Sequence, residues 1–115
     1  MTIGEVAEKT NLPESTLRYY EKKGLIKVAR DCCGRRDYEE GDIEWIKFIR
    51  RLKETGMLLA DIRQYSELRY QGRSTMPKRL EILRRHRKYV LGQQEKWQEY
   101  LQNLDDKIAF YQKSI

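Results

Sequence analysis

The sequence predicts a mainly α fold: an N-terminal winged helix-turn-helix of four helices plus a two-stranded wing, followed by one long coiled-coil helix. Three observations carry this reading. Two short amphipathic segments flank a proline-containing turn before Gly24; a basic segment turns around Gly34; and from Pro77 to Ile115 apolar residues recur every three or four positions with Gly92 as the one helix breaker. Residues 1–72 therefore form a compact head, with the helix-turn-helix at about 2–24 and the wing at about 25–39, and residues 73–115 form the long helix.

Thr2-Ile3-Gly4-Glu5 has the T-x-x-E form of a capping box, and Ile3, Val6 and Ala7 then define one apolar face. Thr10-Asn11-Leu12-Pro13 breaks this helix, and Pro13 suits the first position of the next. The second helix turns Leu17 and Tyr20 inward and stops at Gly24, after Lys22 and Lys23. Leu25 to Ala29 reads as a strand, Asp31 to Gly34 as a turn and Arg35 to Tyr38 as the return strand. Asp42 is placed as the cap of a third helix carrying Ile43, Ile46 and Ile49 on one face, widened by Trp45 and Phe48 and closed by Gly56. A fourth helix runs from Met57 to about Tyr70, with Leu58, Leu59, Ile62, Tyr65 and Leu68 as its apolar set. Ser74 or Thr75 caps the long helix.

That last helix fits a heptad. Position a takes Leu80, Arg87, Gln94, Leu101, Ile108 and Ile115; position d takes Leu83, Val90, Trp97, Leu104 and Tyr111. Such a stripe is too narrow for a buried helix and suits a seam between two helices, with Leu83, Val90, Trp97, Leu101, Leu104, Ile108 and Tyr111 as the expected dimerisation residues. Arg87 and Gln94 interrupt the seam near its start, where polar a positions can set register. His86 is assigned no role.

The net charge is +6 and the sequence pI about 9.4. The charge is clustered: residues 18–36 hold seven Lys/Arg against two acids. A basic stripe over a helix-turn-helix and its wing is the electrostatic footprint of a nucleic-acid partner. Enzyme chemistry is not expected, because no activated nucleophile, metal-ligand set or phosphate loop is present. No cofactor and no metal are expected either. Cys32 and Cys33 are adjacent and have no third cysteine to pair with, so they read as turn residues in a reducing cytoplasm. No stretch is long and apolar enough for a transmembrane helix, and no signal-peptide pattern opens the chain.

The strings T-I-G-E-V-A, T-L-R-Y-Y-E-K-K-G-L-I (Thr16 to Ile26), G-R-R-D-Y (Gly34 to Tyr38) and D-I-E-W-I-K-F-I-R-R-L-K-E-T-G (Asp42 to Gly56) occur in that order over about 70 residues. In content and spacing they resemble the MerR family of bacterial transcription regulators. The chain looks like a short member, without a separate ligand domain after the dimerisation helix. The resemblance implies a homodimer held by an antiparallel coiled coil, bound to promoter DNA. It also implies that the dimer distorts the DNA so that RNA polymerase, acting indirectly at the promoter, can read misaligned elements. An architectural DNA-bending factor of excisionase-like type is the alternative; the long heptad helix, suited to a symmetric dimer on a pseudo-palindromic site, argues against it. A small-molecule effector is left open and unidentified. The branch that responds to aldehydes and thiol stress carries a cysteine in its third helix, where this chain has Arg51.

Carried over residue by residue, the resemblance puts the second helix in the major groove and the wing against the flanking backbone. Arg18 is the leading contact to base or phosphate, since it lies off the Leu17/Tyr20 face and guanidinium grips either bidentately. Thr16 and Lys22 share its neighbourhood, and Tyr19 can donate its hydroxyl to a phosphate. On the wing, strand alternation pairs Arg36 with Tyr38 as a phosphate clamp, with Arg35 near the tip. Glu21 is expected to be structural, paired with a nearby cation.

Overall fold

The computed structural model describes residues 1–115. Its elements are α1 (Ile3–Thr10), α2 (Glu14–Lys22), β1 (Ala29–Arg30), β2 (Arg36–Asp37), α3 (Glu40–Glu54), α4 (Leu59–Gln71), a 3-10 turn (Arg73–Thr75) and α5 (Met76–Ser114). The chain divides into two compact units, Met1–Leu80 and Glu81–Ile115, so the division falls inside α5.

Local chemistry fixes the helix-turn-helix. The Thr2 side chain accepts the Glu5 N–H at 3.2 Å and so caps α1. At the other end Asn11 adopts φ 56°, a left-handed conformation that asparagine tolerates, and the Leu12 N–H reaches back to the Ala7 carbonyl at 3.1 Å. Pro13 sits at the N-cap of α2, one position before the place read for it, and Gly24 closes the helix at φ 76°. α1 packs on α2 and α3, and α3 on α4. Their shared core holds Val6, Leu17, Tyr20, Leu25, Ile26, Ile46, Ile49 and Ile62, all buried. A fully buried aliphatic side chain of this size contributes about 1.5–3 kcal/mol.

Three sequence expectations are corrected. Residues Leu25 to Val28 are not strand: the ladder is only Ala29↔Asp37 and Arg30↔Arg36, because Leu25 and Ile26 drop into the helical core instead of lining a sheet. Asp42 is not the cap of α3. It occupies the third helical position and accepts the Glu39 N–H at 2.8 Å, while Glu39 is the N-cap. The fourth helix begins at Leu59, after Gly56 at φ 91° and an extended Leu58 whose side chain is 70% exposed. Only Met57 of that entry segment is buried.

A single buried carbonyl ties these parts together. The Leu25 oxygen accepts from the Trp45 indole Nε1 at 3.0 Å and from the Ser66 hydroxyl at 2.5 Å. The segment leaving α2 is thereby fastened to α3 and α4 at once. Trp45 also stacks on Tyr65 (centroids 5.6 Å apart) and carries the Arg69 guanidinium on its ring at 4.6 Å. Arg63 Nε donates to the Lys23 carbonyl at 2.9 Å, and the Tyr70 hydroxyl accepts the Lys27 N–H at 3.0 Å, which extends the α4 contact along the same segment. In the 3-10 turn, the buried Thr75 hydroxyl bonds the Leu68 and Gly72 carbonyls at 2.6 and 2.8 Å.

In α5, residues from Glu95 to Ile115 are exposed along their whole length. They include Trp97, Leu101, Leu104, Ile108 and Tyr111 of the expected seam, whereas Leu83 and Val90 are half-buried.

The Leu25 carbonyl makes a double-mutant cycle informative. Ser66→Ala should cost about 0.5–1.5 kcal/mol, since the indole still satisfies the oxygen. Combined with Trp45→Phe it should cost more than the two single changes added together, by on the order of 1 kcal/mol, because a buried acceptor is then left bare. Urea unfolding of the four proteins measures this, and strict additivity would contradict the shared-acceptor reading.

Candidate nucleic-acid interface

The basic surface is built from α2 and the wing, held together by one carboxylate. Glu21 faces the wing from the last turn of α2. Its Oε1 accepts Arg36 Nε at 2.8 Å, and Arg30 Nη2 donates to both oxygens, at 3.1 Å to Oε2 and 3.4 Å to Oε1, so one carboxylate holds an arginine from each strand. The wing is a two-residue ladder with little burial of its own, and this pairing orients it against the helix. The sequence expectation of a structural Glu21 beside a cation holds, with two cations where one was anticipated.

The tip of the wing is organised by Asp31. Its Oδ1 accepts the N–H groups of Cys33 (2.8 Å) and Arg35 (3.0 Å), and its backbone carbonyl accepts that of Gly34 (3.0 Å). This is the side-chain-to-backbone bonding that makes aspartate a turn former. Gly34 supplies φ 79°. Behind the tip, a cleft of about 310 Å³ is lined by Thr2, Ile3, Arg30, Gly34, Arg35 and Arg36.

The residues read from the sequence divide into two groups. Arg18 is exposed (53%) and meets Glu14 at 3.9 Å; Lys22 is exposed, Thr16 half-buried, and Arg35 is 78% exposed with its Nε 3.8 Å from an Asp31 carboxylate oxygen. Tyr19 is exposed at the helix edge, and Lys23 and Lys53 lie over its ring at 5.8 and 5.2 Å. Arg36 is half-buried and committed to Glu21.

Tyr38 is a correction. The alternation that was to pair it with Arg36 in a phosphate clamp does not survive the end of the strand at Asp37. The Tyr38 ring is 2% exposed, and its buried hydroxyl has no hydrogen-bond partner. Its backbone pairs with Met1 instead: the Tyr38 N–H donates to the Met1 carbonyl at 2.9 Å and the terminal ammonium to the Tyr38 carbonyl at 2.7 Å. Burial pushes the phenol above the ordinary tyrosine value, with Arg36 pulling the other way, and burial raises Tyr20 likewise, opposed by Arg50.

Lys53 was missed by sequence reasoning. It lies on α3, far along the chain from Tyr19, and no local pattern signals that packing will bring its ammonium over that ring. A cation held over an aromatic face is worth roughly 0.5–1 kcal/mol at an exposed site.

Residues 1–68 match the family of MerR HTH regulatory proteins, and residues 43–107 match the MerR DNA-binding family. An uncharacterised HTH-type transcriptional regulator from Haemophilus influenzae is 38% identical over 114 residues, spanning 98% of this chain and 84% of its own. The crystal structure of HiNmlR, a MerR family regulator lacking the sensor domain and bound to promoter DNA, superposes with a TM-score of 0.86 at 38% identity, covering 97% of this chain and 90% of that one. A MerR family transcriptional regulator from Bacillus thuringiensis superposes at 0.83 with 33% identity, over 95% and 96% of the two chains.

The inward Tyr38 hydroxyl can be tested by its removal. Tyr38→Phe should leave stability at pH 7 unchanged or slightly raised, since an unpartnered buried hydroxyl is lost. Under alkali, the raised phenols make the folded chain hold protons that the unfolded chain releases first. Stability is thus intact below about pH 10 and falls as pH climbs through the folded values. Tyr38→Phe should flatten that fall in urea titrations at alkaline pH. A loss above about 1 kcal/mol at pH 7 would mean that the hydroxyl makes a bond.

Proposed function

The chain belongs to the MerR family of DNA-binding transcription regulators, and from that premise we propose that it works as a homodimer that deforms promoter DNA through the surface formed by α2 and the wing. The observation that carries the reading is the Glu21 link, which joins the groove-facing helix and the backbone-facing wing into one cationic unit. Arg18 is assigned to base or phosphate contact in the major groove, with Thr16, Tyr19 and Lys22 beside it and Arg35 on the flanking backbone. Arg36 serves through its ion pair as much as through its charge.

Dimerisation is assigned to α5. A solitary 39-residue helix with Trp97 70% and Leu104 61% exposed leaves a long apolar stripe in water. A second copy of the stripe covers it in the knobs-into-holes manner of a heptad seam. Two heads tied together read a pseudo-palindrome, and bending or untwisting the DNA between them costs roughly 1–6 kcal/mol, returned by contacts that only the deformed duplex permits. RNA polymerase is then a partner through the DNA. The protein acts on the chromosome in the bacterial cytoplasm.

Arg18→Ala should weaken binding to the specific operator by roughly 1–3 kcal/mol and leave the dimer intact. Unchanged operator affinity would remove α2 from the groove. Leu101→Lys with Leu104→Lys should give monomers in sedimentation velocity at concentrations where the parent chain is dimeric, since each seam would receive two charges. A full dimer in that variant would reject the seam.

A further inference from the structure

Cys32 and Cys33 occupy the wing tip, and the function described above makes no use of them. Both are exposed, and their sulfurs lie 3.9 Å apart. The backbone between them is held, because the Cys33 N–H is bonded to the Asp31 carboxylate and the Gly34 N–H to the Asp31 carbonyl.

The spacing discriminates between thiol chemistries. A disulfide needs a sulfur–sulfur distance of about 2.05 Å, which here requires halving the separation across a single peptide. A bridging atom that makes two bonds of about 2.3 Å, the length of a typical metal–thiolate bond, at an angle of roughly 90–110° holds its sulfurs about 3.3–3.8 Å apart, so the 3.9 Å separation needs to close by little more than half an ångström at most. Zinc requires four nitrogen, sulfur or oxygen ligands, and no third His, Cys, Asp or Glu joins this pair. Two-coordinate soft cations take two thiolates in a near-linear arrangement that spreads the sulfurs further apart, whereas trivalent arsenic carrying one organic substituent takes two thiolates at a bent angle.

We propose that Cys32 and Cys33 form a dithiol site for monosubstituted trivalent arsenicals at the wing tip, and that its occupation weakens DNA binding. With an arsine oxide R–As=O, two As–S bonds form, the As=O bond and two S–H bonds break, and both protons leave with the oxide oxygen as one water. Arsenic stays trivalent and no electrons are exchanged. The adduct places an apolar group on the turn that carries Arg35, whose N–H is fixed by the same Asp31 carboxylate. The effect on DNA rests on the reading of the wing as DNA-facing; the adduct does not.

The probe is phenylarsine oxide, added in stoichiometric amount to the full chain. Intact mass should show one phenylarsenic group per chain, with both thiols lost to Ellman titration. The adduct should survive a monothiol and be stripped by 2,3-dimercaptopropanol. Cys33→Ser should retain the probe at least tenfold more weakly. Two groups per chain, or equal retention by Cys33→Ser, would overturn the site. In duplex anisotropy the adduct should bind the protein's own upstream region several-fold more weakly, with no such change in the Cys32→Ser/Cys33→Ser chain. Unchanged affinity of a fully formed adduct would overturn the coupling. Untreated protein with no preference for that duplex would count against the DNA-binding assignment and leave the mass result standing.

Discussion

The Glu21 carboxylate sits between Arg30 and Arg36, and the surface proposed to face DNA depends on it. A two-residue ladder buries almost nothing, so the wing has little stability of its own. Met1 bonds its return strand at Asp37 and Tyr38, and an anion on α2 holds an arginine from each strand against the helix. The cost of placing a negative charge in a surface proposed to meet a polyanion is offset by the order it imposes. Arg30 and Arg36 are partly neutralised, whereas Arg35, Arg18 and Lys22 stay exposed, the first two in long ion pairs with Asp31 and Glu14.

Behind this surface the helical head supplies stiffness through a second convergence. The Leu25 carbonyl, just past the end of α2, takes hydrogen bonds from α3 and α4. α3 and α4 therefore cannot shift independently of the segment that leads from α2 into the wing. The same segment is pinned by the Lys23 carbonyl on Arg63 and the Lys27 N–H on Tyr70. The two buried bonds to the Leu25 carbonyl add only about 0.5–1.5 kcal/mol each, but leaving that acceptor unsatisfied costs more, which favours a single arrangement.

Features set by neighbours in the chain were legible in the sequence. Thr2 as a cap, Asn11 and Pro13 at the turn, Gly24 as a helix stop and Gly34 at the tip all follow from local backbone chemistry. Features set by tertiary packing were not. Tyr38 was read outward because strand alternation was extended one residue too far, and pairing with Met1 turns it in. Leu25 and Ile26 have the composition of a strand, yet the core between the helices claims them. Asp42 and Glu39 are both acidic and three residues apart, and composition alone does not say which is the cap. At the candidate site, the exposure of Arg18, Lys22 and Arg35 follows from residue type and local pattern, whereas Lys53 comes to lie over Tyr19 only through the tertiary fold.

The central claim is that helix and wing act as one unit because Glu21 holds them. Fluorescence anisotropy tests it directly, with a duplex of the protein's own upstream region and a scrambled duplex, titrated with the parent chain and Glu21→Gln across a salt series. Simple electrostatics favours tighter binding by the variant, which has one negative charge fewer on its DNA-facing side. The present account predicts the opposite for the specific duplex: several-fold weaker binding and a reduced preference over the scrambled sequence, as the wing loses its fixed direction. Tighter binding with the preference intact would contradict it.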